Sequence, residues 1–289
     1  MVLESKMFDQ RILDSLYKCD IDGHWAEKTC KVEEKEHKIY AKALKKLYSD
    51  DSEFLKGVEE LKAIEHDNIL KIDLSKGNIL VMQFAELGSL YNYLHGSNVS
   101  MQLSDIVLLN YMKQCVMGIN ALHKNKILHR NLSTRNLFLF DAYYTLKIRL
   151  DPTQIYQMKI SAYTAPELLK LSSHSTLSDV YSFGIILWET MSGKIPFEGM
   201  ASNEIACLIL NGGRPSLENM KAYDFIETIK TLIEQCWDED PNKRPTVNIL
   251  ELLLSYDYCK FITLPPIIKS DKTQKSIDND NNSNIMENK

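Results

Sequence analysis

The residues from Ile127 to Phe140, ILHRNLSTRNLFLF, decide how this chain is interpreted. The stretch opens on two apolar residues, continues through a polar loop and ends in the apolar run LFLF. In the loop His129, Arg130 and Asn131 are consecutive, and Asn136 follows Asn131 by five positions. The pattern predicts a buried strand end, a polar loop that carries functional side chains, and a second buried strand.

Motifs on the C-terminal side predict a strand, a short connection and a helical domain. Tyr144 to Pro152 reads YTLKIRLDP, and only the twelve residues Thr153 to Thr164 separate it from the triplet Ala165-Pro166-Glu167. Ser178 to Trp188, SDVYSFGIILW, is apolar on nearly every side. That pattern is typical of a helix at the centre of a domain.

Motifs on the N-terminal side predict a smaller, strand-rich part. His37 to Ala43, HKIYAKA, is strand-like and carries Lys42. Glu53 to His66 has apolar residues at helical spacing. Gly77 to Leu90, GNILVMQFAELGSL, predicts an apolar strand and a turn, and residues 103–123 form one apolar helical stripe.

These spaced motifs together resemble the protein kinase family over about residues 15–262. The resemblance implies an α+β, bilobal protein-kinase-like fold within residues 1–262. A small β-rich N-lobe with one regulatory helix is expected over about residues 15–84, and a larger helical C-lobe over about residues 87–262. Residues 265–289 are rich in Asn, Asp, Lys and Ser, and we expect a disordered polar tail there.

The resemblance assigns nucleotide-binding positions to three residues. Lys42 corresponds to the strand lysine that holds the α- and β-phosphates. Met82 has the gatekeeper position, and Asn136 has the position of the asparagine that holds a metal ion.

The resemblance also implies architectural residues in the C-lobe. Asp179 is expected to tie the backbone of the loop that contains His129 and Arg130. Glu167 is expected to pair with Arg244 of the segment NKRPT.

Positions that carry catalysis in the family depart from its pattern. Asn131 replaces the aspartate that accepts the proton of the attacking hydroxyl, and an amide has no useful basicity near neutral pH. Leu150 takes the place of the magnesium-binding aspartate; Asp151 comes one place later, which on a strand turns a side chain to the opposite face. Gly57 replaces the glutamate that pairs with the strand lysine. We therefore expect no catalytic residue and no metal site.

The phosphate-loop region predicts weak nucleotide binding. By spacing, the three glycine positions of the family hold Asp22, His24 and Glu27, and two carboxylates there would repel a triphosphate. We expect no cofactor, with at most weak, metal-independent ATP binding. One alternative is a divergent ATP-binding protein kinase (Ser/Thr or Tyr) with residual phosphotransfer activity. Another is a nucleotide-gated switch in which Lys42 still binds phosphate.

Three segments are similar to the pseudokinase domain of the mixed lineage kinase domain-like family: MQFAELGSL at 82–90, KISAYTAPEL at 159–168 and VYSFGIILWETMSGKIPFEG at 180–199. Cellular members of that family are phosphorylated at an adjacent Thr-Ser pair, and residues Thr153 to Thr164 contain no such pair. Cellular members also carry a membrane-permeabilising helical bundle before the small lobe, and the motif spacing here leaves no room for it. Both features resemble the poxvirus-encoded homologues. The resemblance implies an inactive decoy in the host cell cytoplasm that binds receptor-interacting protein kinase 3 of the host, sequesters it and inhibits necroptosis.

The same resemblance places a partner surface after the Ala165-Pro166-Glu167 triplet. Leu169, Leu171 and Ser172 are predicted to contact the partner kinase, with Leu171 in place of an aromatic residue of the cellular family. The alternative is that the leucines here, Leu168 above all, belong to the core. The oligomeric state stays open.

Composition argues against nucleic acid, metal and membrane as partners of this chain. The net charge of −5 and the pI of about 5.9 argue against nucleic acid, which needs a basic face. The six cysteines form no Cys-x-x-Cys pair, so a zinc or redox site is not indicated. No stretch is long enough to span a membrane, so we expect no membrane insertion. No secretory signal is recognisable, so we expect an intracellular protein whose cysteines are reduced.

Overall fold

The computed structural model describes residues 26–34, 37–45, 59–75, 79–83, 85, 87–96, 103–140, 145–150, 160–220 and 226–255. For residues 26–34, 37–45, 73–75, 79–83 and 219 it describes the backbone alone. The predictions for Asp22, His24, Gly57, Asp151 and the tail at 265–289 lie outside these residues.

The N-terminal part is a four-stranded antiparallel sheet with the strand order β1-β2-β4-β3. Its strands are β1 (Ala26–Glu34), β2 (His37–Lys45), β3 (Ile72–Ser75) and β4 (Ile79–Gln83). The register pairs Lys42 of β2 with Met82 of β4. Two predicted nucleotide-pocket residues therefore lie side by side on the central strands.

Residues 87–89 lead from the sheet into the helical part. Gly88 has φ +74°, a left-handed conformation that glycine adopts without a steric penalty. Its carbonyl accepts a hydrogen bond of 3.0 Å from the N–H of Leu139. Ser89 forms a β-bridge with Phe138 and caps the helix α1 (Leu90–His95). This connection is thus tied directly to the strand that follows the polar loop.

The helical part surrounds α4 (Thr176–Ser192), which is buried from Ser178 to Ser192 as its apolar pattern predicts. A capping box between Ser175 and Ser178 begins α4, and Gly193 ends it in a left-handed conformation. The other helices are α2 (Asp105–Lys124), α3 (Pro166–Leu171), α5 (Ser202–Leu210), α6 (Ile226–Cys236) and α7 (Val247–Ser255).

A two-stranded hairpin, β5 (Leu137–Phe140) and β6 (Thr145–Ile148), lies against α2. Gly118 permits this approach, because a Cβ there would lie 2.7 Å from Ile148 Cδ1 and 2.9 Å from the carbonyl oxygen of Asn68. The Asn68 side chain also donates to the carbonyl of Leu146 at 2.9 Å. These contacts hold β6 in place, and the candidate site residues Arg149 and Leu150 follow directly after it.

The small antiparallel sheet and the larger helical part confirm the predicted α+β, bilobal kinase-like fold. The core of the helical part includes the fully buried rings of Tyr111, Tyr181 and Phe183. Truncating one large core aromatic typically destabilises a fold by roughly 3–5 kcal/mol. Within the described residues no helix is both long enough and apolar enough to span a bilayer.

Candidate functional site

The polar loop is held by one buried carboxylate in the first turn of α4. Asp179 Oδ2 accepts the N–H of His129 at 3.0 Å and the Nε2 of His123 at 2.8 Å, and Oδ1 accepts the N–H of Arg130 at 3.1 Å. Arg130 has φ +65°, a conformation that costs a residue with a Cβ roughly 1–2 kcal/mol. The charge-assisted hydrogen bonds that Asp179 accepts offset that cost and fix the loop.

His129 joins the loop to the residues after β6. Its Nε2 donates to the carbonyl of Arg149 at 3.1 Å, and its Nδ1 accepts the N–H of Asn131 at 3.3 Å. Burial lowers the pKa of His129 below its usual 6.5, because the imidazolium form is poorly solvated there, although Asp179 opposes the shift. The ring is therefore a neutral connector at physiological pH.

Asn131 occupies the position at which kinases carry their general base. It is half-buried, and its carbonyl oxygen accepts a 2.7 Å hydrogen bond from the Nδ2 of Asn136. The loop geometry is thus maintained around a side chain that cannot accept the proton of an attacking hydroxyl.

Asn136 is buried, and its side-chain oxygen is bound by an internal cation. Arg149 Nη2 donates to Asn136 Oδ1 at 3.0 Å, and the Arg149 N–H donates to the Asn136 carbonyl at 2.8 Å. The guanidinium carbon lies 5.4 Å from the centroid of the Phe138 ring. In active kinases the corresponding amide oxygen is a magnesium ligand.

Leu150 packs in an apolar cluster with Ile64, Ile69 and Leu122, and only 6% of it is exposed. A carboxylate in this apolar cluster would be desolvated. The family's metal ion is magnesium, which requires oxygen ligands in octahedral geometry. The residues present do not fit it, because Leu150 offers no oxygen and Arg149 places a positive charge on the remaining ligand.

For the other two predicted nucleotide-binding residues, Lys42 and Met82, the structure describes the position of the backbone. Lys42 and Met82 are paired across β2 and β4, and the loop after β4 is bonded to β5, which follows Asn136. Gly57 and Asp151 lie outside the described residues.

Glu167 and Arg244, which the sequence predicts as partners, form a two-bond ion pair. Nη1 and Nη2 of Arg244 donate to Oε1 and Oε2 of Glu167 at 2.7 and 2.8 Å. The same guanidinium donates to the carbonyls of Leu177 and Asp238, at 2.8 Å in each case. The arginine side chain is fully buried, so this pair joins the start of α3 to α4 and to the segment before α7.

Sequence reasoning missed a second buried carboxylate. Glu189, in the last turn of α4, has no exposed surface and accepts hydrogen bonds from Thr134 Oγ1 at 3.1 Å, His95 Nε2 at 2.9 Å and the hydroxyl of Tyr163. Burial and then Glu189 raise the pKa of Tyr163 well above 10. The signal in the sequence is an acidic residue inside an otherwise apolar helix.

The predicted partner surface divides into a buried and an exposed part. Leu168 is buried, in agreement with the core alternative, and Leu169 is half-buried. Leu171, at the end of α3, is 76% exposed. Ser172 is exposed, has φ +53° and donates its N–H to the Leu168 carbonyl at 3.0 Å, which ends the helix and leaves Leu171 projecting.

Comparison with known proteins places this geometry in a family. The profile described as "Protein tyrosine and serine/threonine kinase" matches residues 20–254. Human mitogen-activated protein kinase kinase kinase 7 is 30% identical over 230 residues, which cover 74% of this chain and 37% of that protein. The Drosophila melanogaster putative mitogen-activated protein kinase kinase kinase 7-like protein is 29% identical, over 70% of this chain and 55% of its own length.

A third relative belongs to another class of kinase. The dual specificity protein kinase pyk3 of Dictyostelium discoideum is 29% identical over 238 residues, which cover 78% of this chain and 17% of that protein. The chain therefore spans well under two thirds of the length of the relatives it matches. Because the family profile matches most of the chain, and the loop, hairpin and central helix are arranged as described, this chain belongs to the protein tyrosine and serine/threonine kinase family.

Proposed function

We propose that this chain is a catalytically inactive member of the kinase family that acts by binding another kinase. One observation carries the proposal: Arg149 holds the side-chain oxygen of Asn136, while Asn136 holds the backbone of Asn131. The base position is an amide, and the metal-ligand position already contacts a cation.

The missing groups account for a large part of catalysis. A positioned general base typically contributes ~10²–10⁴-fold to a rate. Charge stabilisation by a metal ion is worth several kcal/mol more. Asp179 still accepts hydrogen bonds from the N–H groups of His129 and Arg130, so the loop is held in place although these two contributions are missing.

The partner we propose is receptor-interacting protein kinase 3 of the host, in the host cell cytoplasm. The support is the resemblance of residues 82–90, 159–168 and 180–199 to the mixed lineage kinase domain-like family and its poxvirus-encoded homologues. A chain that binds this kinase without passing on the signal sequesters it and inhibits necroptosis.

The proposed contact centres on Leu171, with Leu169 and Ser172 beside it. Leu171 is exposed at the end of α3, next to an ion pair of 2.9 Å between Lys170 and Glu239. An apolar anchor with polar groups at its edge is the usual arrangement of a protein interface. Such an anchor can contribute about 2 kcal/mol or more, which is roughly thirtyfold in affinity.

The test is capture of the purified kinase domain of receptor-interacting protein kinase 3 by the immobilised chain. The unaltered chain should bind it, and Leu171→Asp should abolish capture while leaving the melting temperature close to that of the parent. Leu252→Asp is the matched control, because Leu252 is an exposed leucine on α7 and should tolerate the same change without loss of capture.

Two results would overturn this account. If Leu171→Asp still captures the kinase, the surface is wrong. If the unaltered chain captures no such kinase from any plausible host, the decoy function is wrong. A divergent protein kinase is the second candidate, favoured by the family match and by the intact Asp179 contacts with the loop.

A further inference from the structure

Helices α2 and α7 pack against each other and run in opposite directions. The end of α2 lies beside the start of α7, since His123 lines one cavity together with Val247 and Asn248. One turn further along α7, the Glu251 carboxylate accepts a hydrogen bond from the side chain of Asn120. The direction of α7 is therefore from the end of α2 towards its beginning.

Helix α7 covers only part of the α2 face that it contacts. It ends at Ser255, one turn after Glu251, so it reaches about one turn before Asn120 on α2. Towards the beginning of α2 this face becomes more exposed: Asn120 is 4% exposed, whereas Ile106 is 58% exposed. Between these two, half-buried residues lie at helical spacing on the same face: Asn110, Lys113 and Met117. An open strip that ends on an apolar side chain thus lies beyond the last residue of α7.

The nine residues that follow α7, Tyr256 to Leu264, are mostly apolar. The segment reads YDYCKFITL, in which six residues are apolar and one acidic residue balances one basic residue. Residues 270–289, by contrast, include only three apolar residues in twenty. Soluble chains cover a contiguous apolar stretch, so the nine-residue segment needs a surface to pack on and the tail beyond it does not.

The segment is attached at the right point and is long enough to cover the strip. The distance from Met117 to Ile106 along α2 is about 16 Å, from the rise per residue of a helix. Nine residues span at most about 30 Å when they are extended. A segment that leaves Ser255 in the direction of α7 therefore passes over the strip and can reach Ile106.

We propose that the residues from Tyr256 to Leu264 form a strap that packs along the first half of α2 and covers its open strip. The occupant is this chain's own segment, because it begins where the strip begins and because its covalent attachment gives it a high effective concentration there. The strap belongs to the fold of the helical part, and the inference depends neither on the cleft nor on the partner kinase.

The experiment is urea unfolding of the full chain in a double-mutant cycle. The strap variant carries Phe261→Asp with Ile262→Asp, which places two charges in the middle of the segment. It should lower the urea midpoint by roughly 1 M, since two large apolar side chains lose their burial. Ile106→Asp should lower the midpoint as well. Added to the strap variant, Ile106→Asp should lower it little further, because the strip is then already uncovered.

Two matched controls make the same kind of change elsewhere. Ile285→Asp with Met286→Asp alters the adjacent apolar pair in the polar tail and should keep the parental midpoint. Leu252→Asp alters a leucine that is 60% exposed on α7, and its effect should be the same with and without the strap substitutions. If the strap variant does not fold, the cycle is measured with Phe261→Ala and Ile106→Ala.

Three results would overturn the proposal. The first is a parental midpoint in the folded strap variant, and the second is strictly additive losses from the strap and Ile106 substitutions. The third is a full chain that sediments as a dimer and becomes a monomer on Ile106→Asp, which would identify a second copy as the occupant of the strip. None of these results bears on capture of the partner kinase, so the two proposals fail separately.

Discussion

The guanidinium of Arg149 donates a 3.0 Å hydrogen bond to the side-chain oxygen of Asn136, the atom that binds magnesium in active kinases. A monovalent cation of the chain itself therefore contacts the oxygen that a divalent metal ion would have to bind. This contact, more than the substitution of any one catalytic residue, explains why restoring the missing carboxylates should not restore a kinase.

The double variant Asn131→Asp with Leu150→Asp should transfer no phosphate. It regains the base and one potential metal ligand, but Arg149 still contacts Asn136, and the position of the family's lysine-pairing glutamate is still a glycine, Gly57. Incubation with labelled ATP and generic protein substrates is the measurement. Transfer clearly above that of a Lys42→Ala control would mean that two side chains alone separate this fold from activity.

Leu150→Asp on its own should destabilise the fold. Leu150 packs against Ile64, Ile69 and Leu122, so the substitution removes apolar contacts and buries a carboxyl group. We expect a loss of roughly 2–5 kcal/mol, the range for truncation of a buried leucine, measured by urea unfolding. Leu150→Met keeps volume and should cost less than about 1.5 kcal/mol. Equal stability of the Asp and Leu forms would place Leu150 outside the core.

Removing one member of the Glu167–Arg244 pair should cost about 3–5 kcal/mol, because it leaves a buried charge without its counter-charge. Glu167→Gln and Arg244→Met should each be strongly destabilised, and the double variant should lose less than the sum of the two. Urea unfolding of the parent, the two single variants and the double variant gives the coupling free energy between the two side chains directly. The exposed pair Lys170–Glu239 is the control, and Lys170→Ala should leave the unfolding midpoint unchanged. Strictly additive losses would contradict a direct interaction.

Stability should fall as the pH falls below about 6.5, in part because of His129. Its pKa is lowered in the folded chain, so between that lower value and 6.5 the unfolded chain binds more protons and is favoured by acid. The stabilisation that the buried, neutral His129 contributes is complete above pH 6.5 and is lost progressively below it. One such group changes the free energy of unfolding by at most ~1.4 kcal/mol per pH unit. His174, whose pKa burial also lowers, acts in the same direction.

Urea midpoints from pH about 7.5 to about 5.5 measure this dependence, since the window spans the ordinary histidine pKa. His129→Gln keeps a donor and an acceptor but does not titrate, so its stability should depend less steeply on pH. An unchanged slope in that variant would assign the acid sensitivity to other groups.

Much of the fold was predictable because its strongest signals are local. The all-round apolar pattern of Ser178 to Trp188 predicts the buried helix α4, and the strand-like segment from His37 to Ala43, which carries Lys42, predicts strand β2. The pairing of Glu167 with Arg244 followed from two spaced motifs of a recognisable family. Such features depend on residue type and spacing, which the sequence contains.

The remaining features depend on tertiary contacts that no spacing indicates. Nothing in the local sequence marks Arg149, since its guanidinium contacts Asn136 only across the hairpin. Glu189 is hard to recognise for the same reason, because its partners His95, Thr134 and Tyr163 come from three separate segments. Whether Leu168 or Leu171 faces solvent likewise depends on where α3 ends, which the left-handed Ser172 determines.

The most direct test of the central claim is a phosphotransfer assay of the unaltered chain with labelled ATP, magnesium and generic Ser/Thr and Tyr substrates. Because Asn131 cannot act as a base and Arg149 occupies the metal-ligand oxygen, the account predicts transfer no greater than that of Lys42→Ala at any enzyme concentration. Transfer that rises with the amount of chain, requires magnesium and is lost in Lys42→Ala would contradict it, and would identify the chain as a working kinase.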